Sequence, residues 1–173
     1  VDAVVVAGGT DESVVQPGFT QAGDLVFCTD RTGWWNPWRL PAAAFGDVGE
    51  DSAQNLRQRP ESDRAVEAVL AGGGAEVEIG GPLWVGGERW WTELPGGRLL
   101  VSATANGTDG LAVIEPDGAF VPLETPFTLV SQVVTGPGGP EGHAAVVVAG
   151  SPVGEAAPHG LDLAGEAVST PWN

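Results

Sequence analysis

The feature that most constrains the fold is the steady recurrence of apolar segments too short for helices, each closed by a turn. Val4 to Val6, Leu25 to Phe27, Trp90 to Thr92, Leu99 to Val101, Leu111 to Ile114, Val121 to Leu123, Val130 to Val134 and Ala144 to Val148 are all of about strand length. Between them lie Gln21-Ala22-Gly23-Asp24, Pro95-Gly96-Gly97, Asn106-Gly107-Thr108-Asp109-Gly110 and Pro116-Asp117-Gly118, whose residues accept positive φ or start a turn. The punctuation runs throughout, with 27 Gly and 14 Pro in 173 residues. The pattern predicts an antiparallel meander of many short strands.

A weak internal repeat organises the meander. The hairpin from Gly97-Arg98-Leu99 lies over the later one from Gly142-His143-Ala144, so that Leu111 to Pro116 corresponds to Pro158 to Leu163 and Phe120 to Glu124 to Gly165 to Ser169. A spacing of roughly 45 residues is that of four-stranded propeller blades. An earlier blade runs from Gln16-Pro17-Gly18-Phe19 through Asp24 to Asp30 and Trp35 to Leu40. It is parted from the next by an inserted loop or short helix over 41–74. Within that insertion, Ser62 to Leu70 fits a short helix capped by Ser62 and stopped by Gly72-Gly73-Gly74, while Ala65 to Leu70 fits equally well as the outer strand of the first blade.

Two motifs are far more specific than the periodicity. The first is Asp30-Arg31-Thr32-Gly33-Trp34-Trp35-Asn36 after the strand Leu25-Val26-Phe27-Cys28; the second is Glu76-Val77-Glu78-Ile79-Gly80-Gly81-Pro82-Leu83-Trp84. Together they resemble the N-terminal β-propeller of prolyl-oligopeptidase-family serine peptidases, the dipeptidyl aminopeptidase and acylaminoacyl-peptidase group, with Asp30, Arg31, Gly33, Trp34, Trp35, Asn36, Gly81, Pro82 and Trp84 as signature residues. The resemblance implies an all-β fold, a partial propeller of about three to three and a half four-stranded blades. It also implies a parent peptidase whose propeller admits short peptides to an α/β-hydrolase domain and excludes folded proteins by size. Three departures stand out: Pro37 where an aliphatic residue would continue the strand, Gly86 where an aromatic would follow Trp84-Val85, and the length of the insertion.

No Gly-x-Ser-x-Gly elbow occurs in the chain, so no catalytic residue is assigned to it and the hydrolase domain is expected outside it. His143 and His159 lie in Gly- and Pro-rich segments and read as loop histidines. Two histidines, one cysteine and no Asp-x-Asp-x-Asp-Gly loop give no zinc or calcium site, and no cofactor is expected. The single cysteine, Cys28, sits in an apolar strand and reads as a buried hydrophobe rather than a reactive thiol.

Charge narrows the partners. The net charge is −16, all 7 basic residues are arginines, and Lys, Met and Tyr are absent. Such usage points to a high-GC bacterial genome, an actinobacterium first. The charge opposes binding to nucleic acid or to an anionic membrane. No run approaches the length of a transmembrane helix and no charged leader precedes the first strand, so the expected setting is cytoplasmic. The opening in mid-strand without Met reads as a cut from a longer polypeptide.

Four residues are candidates for substrate contact. Glu76 and Glu78, two apart, would point to one side of a strand and could receive a cationic peptide N-terminus; the rival reading is a solvated strand. Trp34 and Trp35 would face opposite sides of a strand, one in the core and the other free to meet a peptide or the hydrolase domain. Burial between blades is the default for Trp38, Trp84, Trp90 and Trp91. Two other functions compete: a stand-alone TolB- or WD-like propeller acting as a protein-binding scaffold, and a carbohydrate-binding or glycosidase-like propeller. Open blade edges would favour self-association.

Overall fold

A computed structural model describes residues 5–45, 66–136, 144–163 and 170–171. They form an all-β partial propeller of three four-stranded antiparallel sheets. The first contains β1 (Val14–Phe19), β2 (Leu25–Thr29), β3 (Asn36–Leu40) and β4 (Glu67–Ala68). The second contains β5 (Trp91–Leu94), β6 (Arg98–Ala105), β7 (Thr108–Ile114) and β8 (Phe120–Leu123). The third contains β9 (Leu129–Thr135), β10 (Ala145–Ser151), β11 (Gly154–Leu161) and β12 (Thr170–Pro171). Within each sheet the strands follow chain order, as a meander requires.

The hairpins form where the turn chemistry placed them. Asn106 and Gly107, at φ 52° and 76°, are the two-residue loop that pairs Ala105 with Thr108, and both need the left-handed region that a tight hairpin demands. Of the two alternatives for the end of the insertion, Glu67–Ala68 is a strand, β4, opposite Trp38 and Arg39. Residues 46–65, including Ser62, lie outside the described residues, as does His143.

The second sheet is buried on both faces, which explains its almost continuous apolar strands. Leu99, Val101 and Ala103 of β6, with Ala112 and Ile114 of β7, pack into a core shared with the first sheet's Val15, Val26 and Cys28. The alternate residues Leu100, Leu111 and Val113 enter a second core with Val130, Val133, Ala145, Val147 and Ala149 of the third sheet. Because side chains alternate along a strand, a one-residue slip of β6 would exchange the two cores, so its register is specified twice.

One glycine sets how closely the turn after β7 approaches the segment after β4. Gly118 has φ +85°, and its carbonyl accepts a hydrogen bond from the Ala71 N–H at 2.9 Å. A Cβ there would stand 2.5 Å from the Ala71 nitrogen and 2.9 Å from the Val69 oxygen, both backbone atoms. Gly96 has a similar φ of +82° but open space around it. Gly96→Ala should therefore cost only the left-handed conformation, about 1–2 kcal/mol. Gly118→Ala should cost more than about 3 kcal/mol, because backbone must move as well. Urea unfolding of the two variants measures the difference.

Candidate functional site

The two sequence motifs are bonded to each other. After β3 begins at Asn36, its buried side chain spans to the segment leading into the second motif: the amide nitrogen donates to the Val77 carbonyl at 2.9 Å, and the amide oxygen accepts from the Ala75 N–H at 2.6 Å. Its neighbour Trp35 completes the clasp with its main chain. The Trp35 N–H donates to Glu78 Oε2 at 2.7 Å, and the Trp35 carbonyl accepts from the Ile79 N–H at 2.6 Å. From the strand before, Cys28 Sγ donates to the Ile79 carbonyl at 3.0 Å. Glu78 then exchanges two backbone bonds with Thr104 on β6, at 3.0 and 2.8 Å. One irregular segment thus receives side-chain and main-chain partners from the first sheet's side and backbone partners from the second.

Space at the clasp is as limited as its bonding. Ile79 is fully buried, and a Cβ on Gly80 would lie 3.1 Å from the Cys28 Cβ. Cys28 is itself fully buried, and desolvation pushes its thiol pKa far up, so it is an inert hydrogen-bond donor, as its place in an apolar strand led us to expect.

The turn that delivers Trp35 and Asn36 is fixed by Glu12. The Gly33 N–H donates to the Asp30 carbonyl at 2.8 Å, with Gly33 at φ +86°, and Asp30 Oδ1 accepts from the Ser13 N–H at 2.8 Å. Glu12 Oε1 accepts from Thr29 Oγ1 at 2.7 Å and from Arg31 Nε at 2.8 Å, and pairs with Arg31 Nη2 at 2.6 Å. The Arg31 guanidinium in turn lies 4.6 Å from the Trp38 ring centroid. Burial works against ionisation of Glu12, but bonds from Thr29, Arg31 and the Gly8 N–H, with the Arg31 charge, outweigh it and hold the carboxyl below its usual range.

The four candidate contact residues separate. Trp34 and Trp35 both precede β3 and differ in burial: Trp35 packs on the first core, while Trp34 is 38% exposed. Glu76 and Glu78 do not share a strand face. Glu76 is exposed in a bend, and Glu78 is half-buried with one carboxylate oxygen committed to the Trp35 N–H. The expected pair is broken because the segment makes only a single bridge, at Glu78, rather than a strand. Trp84 departs from interblade burial altogether: it is 86% exposed, in the same loop as exposed Leu83 and Val85. Trp91 is buried, and Trp90 packs partly buried on the first core.

Sequence reasoning missed Gln16. It occupies the bulge between Val15 and Gly18 at φ 47°, a conformation that costs a non-glycine residue about 1–3 kcal/mol. Its amide offsets that cost by bridging two sheets, donating to the Trp91 carbonyl at 2.8 Å and accepting from the Trp90 N–H at 2.6 Å. On the other side of β5, the Thr92 and Thr135 hydroxyls bond at 2.7 Å. The leading strands β1, β5 and β9 of the three sheets therefore stand side by side. Residues from all three line a cavity of about 500 Å³. A second cavity, of about 330 Å³, opens between the first two sheets beside Asp24, Arg39, Leu70 and Asp117. Among the described residues, no group of three or more His, Cys, Asp or Glu side chains is placed to hold a metal ion.

Comparison with known proteins agrees with the motifs. No family model matches the chain, and no curated protein matches it. Among solved structures the chain is similar to puromycin hydrolase, at 28% identity and a TM-score of 0.70 over 93% of this chain and 20% of that one. It is also similar to a puromycin-hydrolyzing peptidase of Mycobacterium tuberculosis, at 25% identity and a TM-score of 0.72 over 96% and 22%. A puromycin hydrolase variant complexed with PGG matches at 28% identity, with a TM-score of 0.68. The chain spans about a fifth of the length of these structures.

Two outcomes are expected. Asn36→Ala strands the Ala75 N–H and the Val77 carbonyl, and should cost about 2–4 kcal/mol in urea unfolding. Because the carboxyl of Glu12 is held low in the folded state, its contribution is present above the ordinary carboxylate range and lost as pH falls through it. Glu12→Gln should therefore lower the melting temperature at neutral pH and flatten its decline towards acid, measured by thermal melts across pH.

Proposed function

We propose a substrate-admitting role for this chain, which forms part of the N-terminal β-propeller of the prolyl-oligopeptidase family of peptidases. The observation that carries the reading is the superposition of nearly the whole chain on puromycin-hydrolyzing enzymes, with the two motifs interlocked at the junction of the first two sheets.

In this reading the chain performs no bond cleavage. It forms part of the wall through which short peptides reach a serine nucleophile on an α/β-hydrolase domain elsewhere in the same polypeptide, and it excludes folded proteins by size. Peptides with a free amine suit a wall of net charge −16, which raises the local concentration of cations and repels polyanions. Trp34, the outward member of its pair, and Glu76, whose carboxylate is exposed, remain the contact candidates. Trp35 and Glu78 support them by fixing the main chain. The cytoplasm, where short peptides are turned over, is the setting that fits this role.

The test is made on the polypeptide that carries this chain. It should hydrolyse short aminoacyl amides and short peptides while leaving folded proteins intact. Cleavage of folded proteins at comparable rates would overturn the gating role. Absence of peptide hydrolysis from the full polypeptide would overturn the peptidase assignment and favour the binding scaffold.

A further inference from the structure

The cavity beside β1, β5 and β9 has a composition that the wall role alone does not demand. It is lined by Gln16, Arg89, Trp91, Thr92, Glu93 and Thr135, among others. Its two charged members are Glu93, within β5, and Arg89, two residues before β5 and beyond the bend at Trp90. Arg89, exposed, has no ion-pair partner among the described residues, unlike Arg31 and Arg39. Glu93 accepts the Gln21 N–H through Oε2 at 2.7 Å, which leaves Oε1 without a partner among the described residues. Between them the Thr92 and Thr135 hydroxyls bond each other, and since a mutual bond uses one of two hydroxyl hydrogens, the other is free to donate.

These groups define a ligand by complementarity. An anion with no positive charge would meet a protein of net charge −16, and a cation with no negative charge would leave Arg89 unanswered. A zwitterion satisfies both ends. From Arg89 to Glu93 the chain, which bends at Trp90, spans at most about 13 Å, the length of an extended peptide of no more than about four residues. A volume of about 500 Å³ is of the size that encloses such a ligand.

We propose that this cavity is a subsite for short zwitterionic peptides of no more than about four residues, with the C-terminal carboxylate at Arg89 and the N-terminal ammonium at Glu93. A peptide carbonyl takes the free hydroxyl hydrogen of the Thr92–Thr135 pair. The subsite deepens the peptidase reading and rests on it for the source of the peptides: it sorts them by length and by possession of both free ends before they pass on. Gln16 is a positioning residue here, since both ends of its amide are spent on the Trp90 and Trp91 main chain.

Calorimetric titration of the 173-residue chain with triglycine tests this, with its fold checked by circular dichroism. Triglycine and tetraglycine should bind, while N-acetyl-triglycine and triglycine amide should each bind at least tenfold more weakly, and hexaglycine likewise. Arg89→Gln should abolish the difference between triglycine and its amide and leave the penalty for acetylation. Glu93→Gln, which keeps an acceptor for the Gln21 N–H, should do the reverse. No binding of triglycine to the folded chain, or an unchanged preference in Arg89→Gln, would overturn the proposal. Neither result touches the peptidase assignment, which stands or falls on hydrolysis by the full polypeptide.

Discussion

The arrangement of the first two sheets depends on satisfying the backbone of residues 75–79, a stretch that is neither helix nor strand and yet runs through a junction where water is scarce. Buried amide and carbonyl groups left without partners cost far more than an ordinary hydrogen bond contributes. A regular strand would find those partners in a neighbouring strand. This segment finds them in Asn36, in the carbonyl of Trp35 and in Cys28 on one side, and in Thr104 on the other. Asn36 suits the task because its amide presents a donor and an acceptor together, so one fully enclosed side chain answers one carbonyl and one N–H. An aspartate of equal size would bring a charge and no donor.

Around that junction, apolar burial and polar bonding divide the work by strand. The central sheet contributes alternate residues of β6 and β7 to two separate cores, which fixes its register and the spacing of its neighbours. The leading strands contribute polar links instead: Gln16 from β1 to β5, and Thr92 from β5 to Thr135 on β9. The division follows from position. Side chains between packed sheets have mostly apolar neighbours, whereas those on the leading strands border open space where hydroxyls and amides remain hydrated until they meet a partner. The surplus of carboxylates is tolerated for the same reason, since it lies largely at the surface.

Much of this was legible in the residues. Strand-length apolar runs, turn residues at the hairpins and the repeat spacing gave the three meanders, and the motif residues from Asp30 to Asn36 are those that make the turn and the clasp. Local pattern could not say what the motifs bind. Glu76 and Glu78 have the spacing of a strand pair, but Glu78 is turned by the Trp35 N–H, 43 positions away in the chain, and such a bond leaves no periodic trace. Trp84 looked like interblade filling on residue type alone, and its exposure follows from a loop bounded by glycines that carries it off the sheet. Gln16 was invisible for a further reason: a lone glutamine beside a proline carries no mark of a bulge or of a left-handed φ. Sequence reports periodicity within a strand well, and contacts between sheets only where a motif happens to concentrate them.

The links between sheets also bear on how a peptide would pass. Parting the first sheet from the second would break both amide bonds of Gln16 and the Gln21 bond to Glu93, and would release residues 75–79 either from Asn36, Trp35 and Cys28 or from Thr104, while splitting an apolar core. Parting the second from the third would break the Thr92–Thr135 bond, the bond from the Val130 N–H to Asp109 and that from the Val133 N–H to the Arg89 carbonyl, and would split the other core. A bond exchanged for water contributes about 0.5–1.5 kcal/mol and exposure of a packed core adds to that, so either opening consumes a large part of the stability of many domains. Separation of these sheets is therefore disfavoured, and under the proposed role the space beside β1, β5 and β9 would be the route of least cost. Under the proposed admitting role, a wall so cross-linked would select by size because it does not yield, and its charged lining would select among the molecules small enough to enter.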